Sequence, residues 1–254
     1  MIDPVTETAQ RGAPVVSGTL IVTGTGTGVG KTVVTAALAA LARAAGRRVA
    51  VVKLAQTGVH DGPGSDVPDL ETVTRLAGVT DTHELARFPD PLSPEAAARV
   101  SGLPAVDFAR AAAHVATLAA KRDLVLVEGA GGLLVRYDGA GATIADLAAA
   151  LNARGLAAPA VVVTAAGLGT LNHTALTLEA LAARKIPRVG VVIGSWPGRP
   201  GLAERANLTD LEVVAGGPLA GMLPEGAGAL DRQAFLAAAA TGLVPSLGGT
   251  RGAL

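Results

Sequence analysis

The chain has 254 residues, half of them hydrophobic but only 2% aromatic, and 21 basic side chains balance 21 acidic ones. That balance gives no electrostatic reason for a nucleic-acid or membrane-surface partner. The absence of cysteine excludes disulfides, thiolate metal sites and a cysteine nucleophile.

Taken from the start, Asp3, Glu7, Gln10 and Arg11 precede the first apolar pair, so residues 1–18 do not read as a signal peptide. No run reaches the roughly 20 apolar residues of a membrane helix. The expectation is a flexible extension over 1–18, one catalytic domain over 19–245, a flexible tail over 246–254, and a cytoplasmic location. Thr19–Thr23 predicts a strand, followed by Gly24-Thr25-Gly26-Thr27-Gly28-Val29-Gly30-Lys31-Thr32 and a helix over Lys31–Ala45. Further strands are predicted over Val49–Leu54, Leu124–Glu128, Ala160–Thr164, Val189–Ile193 and, more weakly patterned, Leu219–Leu223. Helices are predicted over Asp69–Ala77, Glu95–Val100, Val106–Ala120, Ile144–Ala153, Asn172–Ala183, Leu202–Leu211 and Asp231 to about Ala240. Thr143 with Asp146 reads as a near capping box, Ser93-Pro94 as a helix start, and Gly46 and Gly78 as helix ends. Gly58–Pro68 reads as a polar surface loop. Strands alternating with helices predict an α/β, doubly wound, mostly parallel sheet covered on both faces. Its ligand loops then belong at the carboxyl ends of the strands.

The chemistry-bearing residues fall at those ends. A glycine-rich loop between a strand and a helix turns backbone N–H groups toward an anion, and the helix start adds partial positive charge. Lys31 can reach β- and γ-phosphates, and the Thr32 hydroxyl can ligate Mg²⁺. The loop is one residue longer than G-x-x-x-x-G-K-[ST], because Thr25 stands where the first glycine of that pattern belongs. Lys53 ends the second strand, where it can neutralise a phosphoryl group or carboxylate, or can be a solvated lysine. Glu128 ends Leu124-Val125-Leu126-Val127-Glu128-Gly129-Ala130-Gly131-Gly132, as a magnesium-holding carboxylate or a surface glutamate before a turn. Asp66 and Asp69 can each be a second magnesium ligand or a helix cap. Thr164-Ala165-Ala166-Gly167-Leu168-Gly169-Thr170-Leu171-Asn172-His173 can bind a carboxylate through its N–H groups or be an ordinary connection. His60, His83, His114 and His173 have no metal-ligand spacing.

Together and in this order, the loop Gly24–Thr32, Lys53 with Gln56-Thr57-Gly58, Val127–Gly132 and Gly169–His173 resemble the dethiobiotin synthetase family, from about Thr19 to Leu243. The resemblance implies a P-loop NTPase-like ligase that closes a ureido ring on 7,8-diaminononanoate. Its other substrates would be CO₂ or bicarbonate and a nucleoside triphosphate, with Mg²⁺. It implies catalytic roles for Lys31 and Lys53, and magnesium held by Thr32, Asp69 and Glu128. Nucleotide would be held by Gly26, Thr27, Gly28, Val29, Gly30, Lys31, Thr32 and Val33, by Glu128, Gly129, Ala130 and Gly131, and by Gly194, Ser195 and Pro224 at the base. Thr27 and Thr57 would lie beside the diamine. Thr170, Leu171 and Asn172 would hold its carboxylate across the interface of a homodimer. Three departures stand out. Gly26 and Gly28 replace an acidic loop residue, Leu54-Ala55 replace Pro-Val, and Gly194-Ser195 replace the Asn-Asp that reads adenine. The last leads to the expectation that CTP serves as well as ATP. Two rival readings share the fold. Cobyrinic-acid amidases need a cysteine nucleophile, and partition-type switch ATPases carry an extra lysine where Thr25 and Gly26 stand.

Overall fold

The computed structural model describes residues 17–60, 62, 65 and 67–252. The first half of the chain forms β1 (Gly18–Gly24), α1 (Lys31–Ala44), β2 (Val49–Lys53), β3 (Gln56–Thr57), α2 (Asp69–Ala77), β4 (Thr82–Glu84), β5 (Arg87–Phe88) and α3 (Pro94–Ser101). The second forms α4 (Phe108–Ala119), β6 (Leu124–Glu128), α5 (Ile144–Asn152), β7 (Ala160–Thr164), α6 (Thr170–Ala183), β8 (Arg188–Trp196), α7 (Leu202–Ala215), β9 (Gly221–Pro224) and α8 (Arg232–Gly242).

Seven strands make one sheet in the order β4-β2-β6-β1-β7-β8-β9, and every pair in it is parallel. β3 and β5 pair separately beside it. The valine-rich runs of β2, β6 and β7 are buried throughout, as strands covered on both faces must be. One core layer packs Ile21, Val52, Val127 and Val162 against α4, α5 and α6, and the other packs Leu20, Val51, Leu126 and Val163 against α1, α2 and α8. Val34–Ala42 of α1 is buried along its whole length. Its alanines let the helix lie close to the sheet while α2 and α8 cover its outer side. From β1 the chain winds outward to β2 and β4, returns to β6, then crosses to β7, β8 and β9. The reversal places β1 at the topological switch point, where α/β sheets bind ligands.

The capping box forms: the Asp146 carboxylate accepts from the Thr143 N–H at 2.8 Å and from its hydroxyl at 2.7 Å. Gly46 and Gly78 take the left-handed conformation with φ of 76° and 69°. One expectation is corrected, and one strand joins those predicted. Residues 246–252 are not a free tail. Leu247 is buried, and the N–H groups of Thr250 and Arg251 donate to Ala240 O and Leu243 O at 2.7 and 3.0 Å. β4, which no apolar run announces, extends the sheet beside β2. Residues 1–16, most of the expected N-terminal extension, lie outside the described residues, as do 253–254 and Asp66.

Candidate active site

β1 ends at Gly24 and α1 begins at Lys31, so the glycine-rich loop occupies the turn between the central strand and its helix. Gly28 and Gly30 have φ of 75° and 94°, which a side chain would strain. Gly30 also lies against Gly194: a Cβ on Gly194 would stand 2.0 Å from Val29 O and 3.0 Å from the Gly30 Cα. Gly194 is therefore a steric necessity where β8 passes the loop. Thr25, the additional loop residue, continues the pairing of β1 with β7 by donating its N–H to Val163 O at 2.9 Å. The longer loop thus begins from a fixed point on the sheet. Lys31 is buried and its Nζ donates to Gly26 O at 2.9 Å. Burial first, and the nearby charge of Lys53 second, lower its pKa to about 8.

The parallel register of β2 and β6 sets Lys53 directly beside Glu128, at the carboxyl ends of both strands. Lys53 is 3% exposed and Glu128 2%. Lys53 Nζ donates to Glu128 Oε1 at 2.8 Å and to Gly129 O at 3.1 Å, and pairs with Asp69 Oδ2 at 2.5 Å. Burial would discharge the ammonium, but the Glu128 charge, followed by that of Asp69, outweighs burial and raises its pKa. Asp69 is held below the usual carboxylate range despite its own burial, through the charge and hydrogen bond of Lys53. The Thr32 hydroxyl donates to Glu128 Oε1 at 2.9 Å, which brings the loop into the same cluster.

Asp69 is the first residue of α2, and its N–H donates to Gln56 Oε1 at 2.9 Å. Asp69 is not the cap of its helix, and its carboxylate pairs with Lys53 instead. Gln56 itself is buried and lines the cleft, a role the sequence reading left unassigned. Tyr137 was also missed. It is fully buried, accepts the Ala130 N–H, and with Ile144 packs where a Gly129 side chain would stand. Burial raises its pKa to about 12, so the phenol stays protonated, and by accepting the Ala130 N–H its oxygen pins the Gly129-Ala130 turn. The available signal was rarity: Tyr137 is the single tyrosine of a chain with few aromatics.

These residues surround a cleft of about 700 Å³, within the range of small-molecule sites. Thr27, Gly28, Gly30, Lys31, Thr32, Val33, Lys53, Thr57, Asp69, Glu128, Ala130 and Gly131 all line it, so the structure brings most of the expected residues together. Val29 and Gly129 are buried beneath it. Thr27 also lines a second cavity of about 420 Å³, with Gly26, Leu134, His173 and Leu176. Gly194, Ser195 and Pro224 lie at the ends of the neighbouring strands β8 and β9, where Trp196 pairs with Pro224. Thr170, Leu171 and Asn172 open α6, away from the cleft of their own chain. The Thr170 hydroxyl turns inward and donates to Ala165 O at 2.6 Å, so a ligand there would meet backbone N–H groups and the exposed Asn172 side chain rather than that hydroxyl.

A family model described as an AAA domain matches residues 18–229. The ATP-dependent dethiobiotin synthetase BioD of Frankia casuarinae is 64% identical over 231 residues, covering 91% of this chain and 94% of that protein. The BioD of Streptomyces coelicolor is 55% identical with the same coverage of both chains. The chain belongs to the ATP-dependent dethiobiotin synthetase family. Among solved structures, a ParA family ATPase from Chlorobium tepidum aligns with a TM-score of 0.51 at 15% identity, covering 88% of this chain and 89% of that one. The cell division protein FtsY of Thermotoga maritima also aligns at 0.51, with 16% identity over 92% of this chain and 71% of that one. At such identities the likeness is one of fold, and it matches the doubly wound parallel α/β architecture seen here. Among the described residues no helix is long and apolar enough to cross a membrane.

Proposed function

We propose that the chain is a dethiobiotin synthase, using a nucleoside triphosphate to carboxylate 7,8-diaminononanoate and close its ureido ring. The observation that carries this reading is the placement of two lysines in one cleft: Lys31 in the phosphate loop and Lys53 between Glu128 and Asp69. A carbamate and a triphosphate are both anionic, and bringing them into line requires fixed positive charge. An amine of the diamine takes up CO₂. The carbamate oxygen attacks the γ-phosphorus and releases the nucleoside diphosphate. The second amine then attacks the carbonyl carbon of the mixed anhydride and expels phosphate. Lys31 and Lys53 hold the phosphoryl and carbamate charge, and Thr27 and Thr57 border the diamine. The test is dethiobiotin formation, followed by mass spectrometry, together with phosphate release. Release that ignores the diamine and bicarbonate would instead favour a switch ATPase.

The donor set at Lys53 fits Mg²⁺. Thr32, Glu128 and Asp69 offer only hard oxygens, and the Lys53 ammonium already lies among them as a cation. Among the described residues no three His, Cys, Asp or Glu side chains gather into a metal cage. That suits an ion which takes one or two carboxylates and completes its shell with phosphate oxygens and water. Thr32, Glu128 and Asp69 would hold it, and it would neutralise triphosphate charge. Glu128→Gln is therefore expected to raise the magnesium concentration that gives half-maximal turnover. An unchanged magnesium titration would leave Glu128 as a purely structural partner of Lys53.

We propose a homodimer in which the start of α6 reaches the partner's cleft. Leu168 is 95% exposed and Leu176 55%, and Leu176 with Leu134 borders the cavity next to Thr27. Such a clustered apolar surface is what a subunit interface covers. The N–H groups of Leu171 and Asn172 there suit the substrate carboxylate.

The base would be read at Gly194, Ser195 and Pro224. Gly194 is locked against the loop and offers only backbone. A site without a side-chain reader discriminates weakly, whereas one built to hydrogen-bond a particular base rejects others by about 10⁴ or more. CTP is expected to support turnover at least comparably to ATP. Steady-state kcat/KM for ATP, CTP, GTP and UTP at saturating diamine and bicarbonate checks this. A preference for ATP above about a hundredfold would reveal an adenine reader elsewhere.

A further inference from the structure

A chain of buried hydroxyls runs from the phosphate loop to the start of α6. Thr164, the last residue of β7, is fully buried. Its Oγ1 lies 2.7 Å from Thr170 Oγ1, 2.7 Å from Thr174 Oγ1 and 3.4 Å from Thr25 Oγ1. Proton accounting fixes the direction, since each hydroxyl has one donor. Thr170 uses its proton on Ala165 O at 2.6 Å. In the Thr164–Thr170 pair the donor is therefore Thr164. Its proton is then engaged, so Thr174 and Thr25 both donate to it. From the other side, Asn207 of α7 donates its Nδ2 to Ala166 O at 2.7 Å and Gly167 O at 3.0 Å. The carbonyls of residues 165–167 are thus held by side chains of α6 and α7, and the Thr170 N–H donates to Gly167 O at 3.3 Å, so the turn into α6 is fixed.

We propose that Thr164 is a positioning residue that couples the phosphate loop to the start of α6, so that bound triphosphate and bound diamine carboxylate strengthen each other's binding. This rests on the reading that the loop holds triphosphate and that the helix start holds the carboxylate across the subunit interface. Both ligands need the same ordered Thr25–Thr164–Thr170 arrangement, and the ligand that binds first meets the ordering cost for the second. Apolar packing alone would tolerate a valine at position 164. The hydrogen-bond chain would not, because its central donor and acceptor would be gone.

The experiment is calorimetry of 7,8-diaminononanoate binding, with and without a saturating non-hydrolysable triphosphate and magnesium. In the wild-type protein the triphosphate is expected to tighten diamine binding about fivefold or more. Thr164→Val is expected to bring that ratio close to one, and Thr164→Ser, which keeps the hydroxyl, to restore it. A wild-type protein without coupling overturns the proposal, as does full coupling in a folded Thr164→Val protein. Should Thr164→Val fail to fold, Thr174→Val decides. It removes one donor to Thr164 from within α6 and is expected to weaken the coupling, and unchanged coupling overturns the proposal. Failure of the functional reading looks different: the wild-type protein would form no dethiobiotin, whereas failure of this inference leaves that reaction intact.

Discussion

Lys31→Ala is expected to lower turnover by about 10²–10³, the usual cost of losing one preorganised charge at a reacting anion. The fold should survive. Lys31 opens α1, where alanine is a favourable residue, and its ammonium donates to Gly26 O of its own loop. Its removal also relieves the repulsion with Lys53 that helps lower its pKa to about 8. That value gives the wild-type protein a pH signature. Above about 8 the free protein loses the Lys31 charge, so kcat/KM for the nucleotide should fall as pH rises through that region. Bound triphosphate favours the charged lysine, so kcat itself should stay flatter. Rates and circular dichroism on the folded variant check the first claim, and a pH series on the wild-type protein checks the second. Near-normal product formation by folded Lys31→Ala would remove the phosphate-loop assignment.

The legible parts of this chain are those where local pattern and tertiary role agree. Leu124–Glu128 and Ala160–Thr164 are β6 and β7 without a residue's difference, because fully buried parallel strands are continuous apolar runs ended by polar residues. The phosphate loop was legible because its glycines, Lys31 and Thr32 are contiguous. Three-residue β4, Thr-His-Glu, sits at the sheet edge with half-exposed side chains, so no burial pattern marks it. What stayed hidden depends on contacts between distant segments. Gly194 reads as a missing base reader, yet its lack of a side chain is demanded by Gly30 and Val29. Thr170 reads as part of an N–H-rich turn that can hold a carboxylate, and nothing in that pattern shows that its hydroxyl completes the network around Thr164. The tail after Ser246 reads as mobile from its terminal position, yet a Cβ on Gly249 would stand 1.9 Å from Leu243 O, so that glycine permits close packing.

Lys53→Gln is expected to separate catalysis, nucleotide binding and stability. Lys53 faces the cleft between Glu128 and Asp69, and in the proposed function most contacts to a ground-state triphosphate fall to Lys31 and the loop backbone instead. Turnover should therefore fall much more than nucleotide affinity, which calorimetry and steady-state rates on one preparation can show. Stability should fall as well, because the change leaves two carboxylates without their shared cation. Breaking a buried ion pair by removing one partner costs about 3–5 kcal/mol, and the lower end applies here because the Asp69 side chain remains 27% exposed. The pH dependence has a definite sign. Asp69 is held below its ordinary value of 3.8, so in the wild-type protein it contributes stability above that pH and loses it as pH falls further. The variant lacks this contribution, and the stability gap between the two proteins should narrow as pH drops below about 4. Magnesium should also raise the melting temperature of Lys53→Gln more than that of the wild-type protein, since the ion no longer competes with an ammonium for Glu128 and Asp69. Loss of nucleotide affinity with turnover otherwise intact would contradict the role of Lys53 at the reacting phosphoryl group. Equal magnesium effects on the two melting temperatures would contradict its place as the cation that occupies the metal's carboxylates.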